Sequence, residues 1–228
     1  MMAAARLLAL FLWLFTAACD SPGIVLHSPS DEAAYRFALN TTPPLVYRWN
    51  TGQTIHVYVV EGDDPLRTRI LKDSVFLPAA SAWEATVLYR EFRFGLTDRL
   101  DEADVLLAWS DEDLPLNVDD CAPPPGDVNV TVFCLSDEMD RLRPYRVQAP
   151  DTALTSVRMI VLIRGTLSSD VAHARRLGAH ELGHVLGIGG HSSNSADVMF
   201  ASPATDTPSA ADIATVRLLY HTTPDILP

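Results

Sequence analysis

Hydrophobic and polar positions follow two periods along the chain, and their order predicts both strands and helices. Residues 54–60 are rich in β-branched and aromatic side chains, which predicts a strand. Apolar residues then recur at helical spacing over 68–90, where Pro78 either begins the helix or kinks it. Two more strands are predicted at 90–94 and 104–109, and the unbroken apolar run of the second indicates burial on both faces.

The second half of the chain continues this mixture. Residues 110–127 are acidic and rich in proline, which predicts a surface loop. Valines alternate with other residues over 128–133, the pattern of a strand with one buried face, and 156–164 carries another strong strand signal. A helix capped within 168–170 is predicted to run to about Ile188.

A last helix is predicted near the end of the chain. Thr207 is its expected cap and Pro208 lies in its first turn, while Ile213, Val216 and Tyr220 mark its buried face. The whole order is strand, helix, several strands, helix, turn, helix. It indicates an α+β or α/β domain, and α+β is the fold class we expect.

The first 18 residues have the pattern of a secretory signal. Arg6 precedes the apolar stretch 7–15, and small residues follow at 16–18. The apolar stretch is shorter than the roughly 20 residues that a membrane-spanning helix needs. Residues 1–18 are therefore interpreted as a signal peptide, and the protein is expected to be exported.

Cys19 refines this interpretation. A cysteine directly after small residues resembles the lipobox of bacterial lipoproteins, in which that cysteine is lipidated. The alternative is an ordinary signal peptide cut after Ala18, which would leave a secreted protein. Residues 19–44 hold several prolines and serines with little periodicity, which predicts a tether between the membrane and the folded body.

The charge of the chain limits its partners. It has 17 basic and 29 acidic side chains among 228 residues, a net charge of −12 at pH 7. An acidic protein repels phosphate backbones, so we expect no nucleic-acid partner. Contact with a membrane is expected only through a lipid anchor at Cys19.

Two further cysteines, Cys121 and Cys134, remain to be explained. In an exported protein such a pair suggests a disulfide, and two free thiols are the alternative. A metal site would need more thiols or a nearby histidine, and residues 111–150 contain neither.

The strongest chemical signal lies at 180–191, which reads His-Glu-Leu-Gly-His-Val-Leu-Gly-Ile-Gly-Gly-His. Histidines four residues apart lie on one face of a helix, so the imidazoles of His180 and His184 can reach one metal ion. Glu181 lies close enough to contact a water on that ion but is badly placed to bind it. The alternative is a pair of histidines without a metal.

The end of this segment supplies a third ligand. Gly187 readily adopts the left-handed conformation that ends helices, and Gly189 and Gly190 allow the backbone to turn so that His191 returns to the ion. Three imidazoles suit zinc and leave its fourth position open for water, as a catalytic site requires.

These residues resemble the metzincin zinc peptidases, and among them the matrixins. The family pattern is His-Glu-x-x-His-x-x-Gly-x-x-His, followed by a turn that carries a methionine. Met199, eight residues after His191, stands at the matrixin spacing, and 208–220 resembles the closing helix of matrixin catalytic domains. The similarity spans about residues 45–222 and leaves 223–228 as a tail.

The resemblance implies a twisted mixed β-sheet with an active-site helix, a Met-turn and a C-terminal helix. It implies a zinc-dependent endopeptidase that hydrolyses a peptide or protein substrate through a zinc-activated water, with Glu181 as general base. His180, His184 and His191 would hold the zinc, and a monomer is expected. Matrixins often bind calcium, which here would lie in the acidic loop; a solvated loop is the simpler interpretation.

The chain departs from the matrixin pattern before the third histidine. One extra residue separates Gly187 from His191, so Gly190 stands at the usual ligand position. We expect Gly189 and Gly190 to absorb it as a wider turn, and the alternative is a site with two histidines and a distant third ligand. Phe200 is a second departure, since many relatives have tyrosine there.

A function of a different class is also open. An envelope binding protein could retain the zinc site without peptidase activity. Glu181 beside an open site of three histidines favours the enzyme, because a structural zinc normally has four protein ligands.

Overall fold

The computed structural model describes residues 34–62, 64–109, 117–118, 129–135, 141–148, 155–163, 171–226 and 228. The predicted signal peptide, Cys19, Cys121 and the side chain of Cys134 lie outside the described residues, as does most of the acidic loop. Lipidation, the disulfide and a calcium site therefore stay predictions. Within the described part of the chain, no helix is long and apolar enough to cross a membrane.

A sheet of five strands forms the centre of the fold. In chain order the strands of the described residues are β1 (Gln53–Val59), β2 (Phe92–Leu96), β3 (Val105–Trp109), β4 (Asn117–Val118), β5 (Asn129–Val132), β6 (Cys134–Leu135), β7 (Leu142–Arg143), β8 (Tyr145–Gln148), β9 (Thr155–Val157) and β10 (Met159–Ile163). The five-stranded sheet has the order β2-β1-β3-β10-β5. Its first four strands are parallel, and β5 pairs with β10 in the antiparallel direction.

The central strands β3 and β10 are buried on both faces, and for β3 the unbroken apolar run at 105–109 predicted this. On β3, Val105 and Leu107 belong to the core beneath the helices, whereas Leu106 faces the opposite core. That second core also contains Val147 of β8, which pairs with β4 and β9 in a small sheet. Two covered faces explain why these strands need no polar positions.

The first helix is a continuous segment with a π-helical turn in its middle. It comprises α1 (Pro65–Ile70), the π-helical turn Leu71–Phe76 and α2 (Leu77–Glu84). The turn ends where the N–H of Leu77 donates to the carbonyl of Lys72, directly before Pro78. Proline has no N–H to donate, so the irregular turn accommodates it without ending the helix. The predicted helix at 68–90 thus begins earlier and ends at Glu84.

Two further helices carry the C-terminal half, α3 (Val171–Val185) and α4 (Ala210–His221). The prediction of Thr207 as the cap of the last helix is wrong. Ser209 is the cap: its hydroxyl accepts from the backbone N–H of Asp212, and the Asp212 carboxylate accepts from the backbone N–H of Ser209. This reciprocal pair satisfies two N–H groups of the first turn, which Thr207 is too far away to do.

Residues 34–44, part of the predicted tether, form neither helix nor strand. They nevertheless lie on the folded body. Leu39 is only 5% exposed and belongs to the main core. The Tyr35 hydroxyl donates to Asp212 at the start of α4, over 2.6 Å.

Candidate metal centre

Helix α3 and the turn that follows it bring three imidazoles together. His180, His184 and His191 each offer a ring nitrogen, and these three atoms all lie within 4.8 Å of one another. The Nε2 atoms of His180 and His184 are 3.2 Å apart. The predicted ligand set is therefore a cluster in space, and the extra residue before His191 does not remove that histidine from it.

The other nitrogen of each helical imidazole is held by a backbone carbonyl. Nδ1 of His180 lies 2.8 Å from the carbonyl oxygen of Val198, and Nδ1 of His184 lies 2.6 Å from that of Ile188. A carbonyl only accepts hydrogen bonds, so each Nδ1 carries the hydrogen and donates. Each Nε2 is then left with a lone pair directed into the cluster.

The spacing of His180 and His184 fits a zinc ion. Two lone pairs 3.2 Å apart repel each other unless a cation lies between them. A tetrahedral zinc with Zn–N distances near 2.05 Å separates two of its nitrogens by about 3.3 Å, which matches. Burial lowers the pKa of His180 and His184 to about 4, so both imidazoles are neutral and able to bind metal at neutral pH.

The end of α3 orients one of these ligands. The N–H of Ile188 donates to the carbonyl of Gly183 at 3.1 Å, and the N–H of Gly187 to that of His184 at 3.0 Å. These are the two bonds of a Schellman motif, and Gly187 has the positive φ of 111° that the motif needs. The motif places the carbonyl of Ile188 where the His184 ring donates to it. Helix termination and ligand orientation thus depend on the same residues.

Gly189 and Gly190 act differently from the prediction. Neither has a positive φ, so conformational freedom is not what requires glycine there. An added Cβ on Gly190 would overlap the carbonyl oxygen of Arg36, and one on Gly189 would lie 3.0 Å from the backbone nitrogen of Leu39. These two glycines are required by the close approach of residues near the N-terminus.

Met199 lies against the middle of α3. It is fully buried, and an added Cβ on Gly183, the residue before His184, would overlap its sulfur. The turn that carries it returns to the third histidine, because the N–H of Ser192 donates to the Met199 carbonyl at 2.8 Å. Residues 192 and 200 also form a parallel bridge. The predicted Met-turn therefore packs between the ligand helix and the segment after His191.

Two buried carboxylates hold this turn in place. Asp212 is fully buried and accepts from the backbone N–H groups of Val198 at 2.8 Å and Met199 at 3.3 Å. Asp197 is 2% exposed and accepts from the hydroxyls of Ser192 and Ser209. Sequence patterns did not indicate this network, whose members come from the turn and from the start of α4.

Glu181 is 4% exposed and lies beside the cluster. Burial raises the pKa of its carboxyl group above the ordinary value, and the nearby imidazoles of His180 and His191 lower the same pKa by a smaller amount. Its Oε2 accepts a hydrogen bond of 2.7 Å from the hydroxyl of Thr131 on β5. The alternating pattern of 128–133 predicted this strand, but the pairing of its hydroxyl with Glu181 was missed.

A tryptophan supports the ligand helix from the other side. Nε1 of Trp83 on α2 donates to the carbonyl of Ala179 over 2.7 Å, next to His180. Two other histidines do not belong to the cluster: His56 is 3.5 Å from Asp104, and His221 is 3.4 Å from Glu91.

No protein family model and no curated protein matches the chain. Among solved structures, the fold is similar to one titled "Structure of myroilysin", with a TM-score of 0.33 and 15% sequence identity. The match covers 61% of this chain and 50% of that one, so the chain spans half the length of that structure. A likeness of this size carries no functional argument. What the findings establish is a mixed α+β fold with a mostly parallel sheet and a histidine cluster able to hold a metal ion.

Proposed function

We propose that this chain is a zinc-dependent endopeptidase of the metzincin class, with a matrixin-like arrangement of its site. One observation carries the proposal: three imidazoles present ring nitrogens within 4.8 Å of one another, with the buried carboxylate of Glu181 beside them. A three-ligand set leaves a position for substrate or water, and a carboxylate buried beside it can act as a general base.

The chain's own groups then divide the chemistry. His180, His184 and His191 would hold the ion. When bound, zinc lowers the pKa of a water molecule toward about 7 and polarises a carbonyl group. Glu181 accepts a proton from the attacking water and passes it to the nitrogen of the departing amine.

The substrate is proposed to bind as an extended peptide along β5. This strand ends the five-stranded sheet and carries Thr131, whose hydroxyl touches Glu181. A peptide that adds to this edge would therefore lie next to the general base.

The setting of the enzyme is also proposed. We infer export by a signal peptide at 1–18, with a lipid anchor at Cys19 holding a monomeric peptidase at the cell envelope. A secreted form without the anchor is the alternative. The acidic net charge of −12 supports an enzyme without a nucleic-acid partner.

The test compares wild-type protein with Glu181→Gln on a diverse library of quenched-fluorescent peptides, after zinc content is measured. Wild type should bind one zinc per chain and cleave peptides, and a chelator should abolish cleavage. Glu181→Gln keeps the size of the side chain but not its basicity, so it should retain zinc and lose at least about a thousandfold in kcat/KM. Stoichiometric zinc without cleavage of any peptide would instead support the binding protein.

A further inference from the structure

The N-terminal segment, residues 35–47, runs along the glycine turn, residues 187–190. The closest link is a hydrogen bond of 2.7 Å from the N–H of Gly189 to the carbonyl of Phe37. Each of the three glycines in the turn also faces an atom of this segment so closely that an added Cβ would meet it. The segment and the turn are therefore packed backbone to backbone.

Both ends of the N-terminal segment are anchored to the C-terminal part of the chain. At one end, the N–H of Tyr35 donates to the hydroxyl of Thr215 over 3.1 Å, and the Tyr35 hydroxyl donates to Asp212 over 2.6 Å. At the other end, the N–H of Ile226 donates to the carbonyl of Val46 over 3.0 Å. Since both ends are held, the segment offers the turn a fixed surface.

His191 needs such a surface more than the other two histidines do. His180 and His184 stand on a helix, and a backbone carbonyl holds each ring. The side chain of His191 is exposed, and its ring has no hydrogen-bond partner among the described residues. Apart from ring contacts with His180 and His184, whose centroids lie 5.2 and 5.1 Å away, its position is set by the backbone on either side: Ser192, bonded to the Met-turn, and the glycine turn.

We propose that the N-terminal segment is a positioning element for the third metal ligand. By holding the glycine turn, it fixes where His191 presents its nitrogen and so sets the affinity of the cluster for zinc. This inference rests on the zinc site of the proposed function. It also explains why the residue before His191 is glycine: a side chain at Gly190 could not enter the space beside the carbonyl oxygen of Arg36.

The experiment measures the zinc dissociation constant by competition with a chelating dye. Gly190→Ala forces the turn and the N-terminal segment apart, and we expect zinc to bind at least tenfold more weakly. Gly62→Ala is the matched control, because an added Cβ there meets no atom within 4 Å and zinc affinity should not change.

Leu39→Ala disturbs the same contact from the other side. Leu39 is 5% exposed and packs against Gly189, so its truncation should loosen the turn and weaken zinc binding several-fold. Leu71 is 1% exposed and belongs to the same core as Leu39. Leu71→Ala therefore leaves a cavity elsewhere in that core and controls for a general loss of stability. If Gly190→Ala does not fold, as judged by circular dichroism, the comparison of Leu39→Ala with Leu71→Ala decides.

Repeating the substitutions in a His191→Ala background tests whether they act through the third ligand. The proposal requires their effect on zinc affinity to vanish in that background. An unchanged affinity in the His191 protein, or an equal loss in both backgrounds, would overturn it. If the wild-type protein binds no zinc, the proposed function itself fails. If the wild type binds zinc and the variants bind it equally well, only the role of the N-terminal segment is refuted.

Discussion

The hydroxyl oxygen of Thr131 lies 2.7 Å from Oε2 of Glu181 and 3.1 Å from the backbone carbonyl oxygen of the same residue. One hydroxyl has one proton, and the shorter contact to a carboxylate oxygen is the stronger bond when the carboxyl group is ionised. Thr131 thus fixes one oxygen of the proposed base and leaves the other for water.

We predict that Thr131→Val lowers kcat about tenfold, because valine keeps the shape of threonine but cannot hold the carboxylate by a charge-assisted hydrogen bond. KM should change little, since Thr131 is not proposed to bind substrate. Thr131→Ser, which keeps the hydroxyl, should retain most of the activity. Steady-state kinetics of the three proteins check this, and a Val variant with wild-type kcat would refute it.

Gly183 is predicted to tolerate no side chain. An added Cβ would overlap the sulfur of Met199 and lie 2.9 Å from Cζ2 of Trp83. Alanine is favoured over glycine inside a helix by about 1 kcal/mol, but overpacking a core costs about 1–3 kcal/mol. Gly183→Ala should therefore lower the free energy of unfolding by about 1 kcal/mol, measured in urea, and weaken zinc binding. A Gly183→Ala protein that is more stable than wild type would show that the Met-turn moves to accommodate the added methyl group at no cost in stability.

Asp212→Asn should destabilise the protein by about 3 kcal/mol. The carboxylate of Asp212 is fully buried and accepts four hydrogen bonds, and the amide of asparagine would direct N–H groups at those donors. Asp206→Asn is the matched control. Asp206 pairs with Arg175 over 2.9 Å at the surface, so Asp206→Asn should lower the free energy of unfolding by no more than about 1 kcal/mol. Equal effects of the two substitutions in urea unfolding would contradict this prediction.

The metal-free protein should lose stability in acid. In the unfolded chain, His180 and His184 take up protons below their ordinary pKa of 6.5, whereas burial delays this in the folded protein until the pKa of about 4. The unfolded state thus binds more protons between these values, and the free energy of unfolding falls as pH falls. From pH 6.5 to 5, each histidine should account for about 1.5 kcal/mol.

Glu181 acts in the opposite direction, because burial raises its pKa. The measurement therefore uses metal-free Glu181→Gln, unfolded in urea at several pH values. Adding His184→Gln to this variant should remove at least half of the loss between pH 6.5 and 5, because it also removes the charge of His184, which lowers the pKa of His180. A pH dependence that is the same in both proteins would assign it to other groups.

Local patterns predicted much of this structure. The apolar run at 105–109 is a central strand, the histidine segment is a helix that ends at a glycine, and the three predicted ligands lie together. Each of these features depends on residues within one or two turns of each other. Such features can be predicted from the local sequence, because the period of apolar residues indicates which face a helix or strand buries.

The missed features join residues that are far apart in the chain. Phe37 bonds Gly189, Tyr35 bonds Asp212 and Thr131 bonds Glu181, and nothing local distinguishes these residues from their neighbours. The glycine pair shows the difficulty most clearly. Glycine was expected to supply a turn, whereas the structure uses it to admit another backbone, and a single sequence does not separate these two reasons.

The register of β5 against β10 has a consequence for how this site can vary. Thr131 stands opposite Val161 of β10, and successive side chains of a strand point to opposite faces of the sheet. A slip of one residue would turn Thr131 away from Glu181 and bring a valine toward the carboxylate instead. Changes in the length of the segment 110–127, which precedes β5, should be tolerated only if they preserve this pairing. The orientation of the proposed base is thus encoded in strand alignment as much as in its own helix.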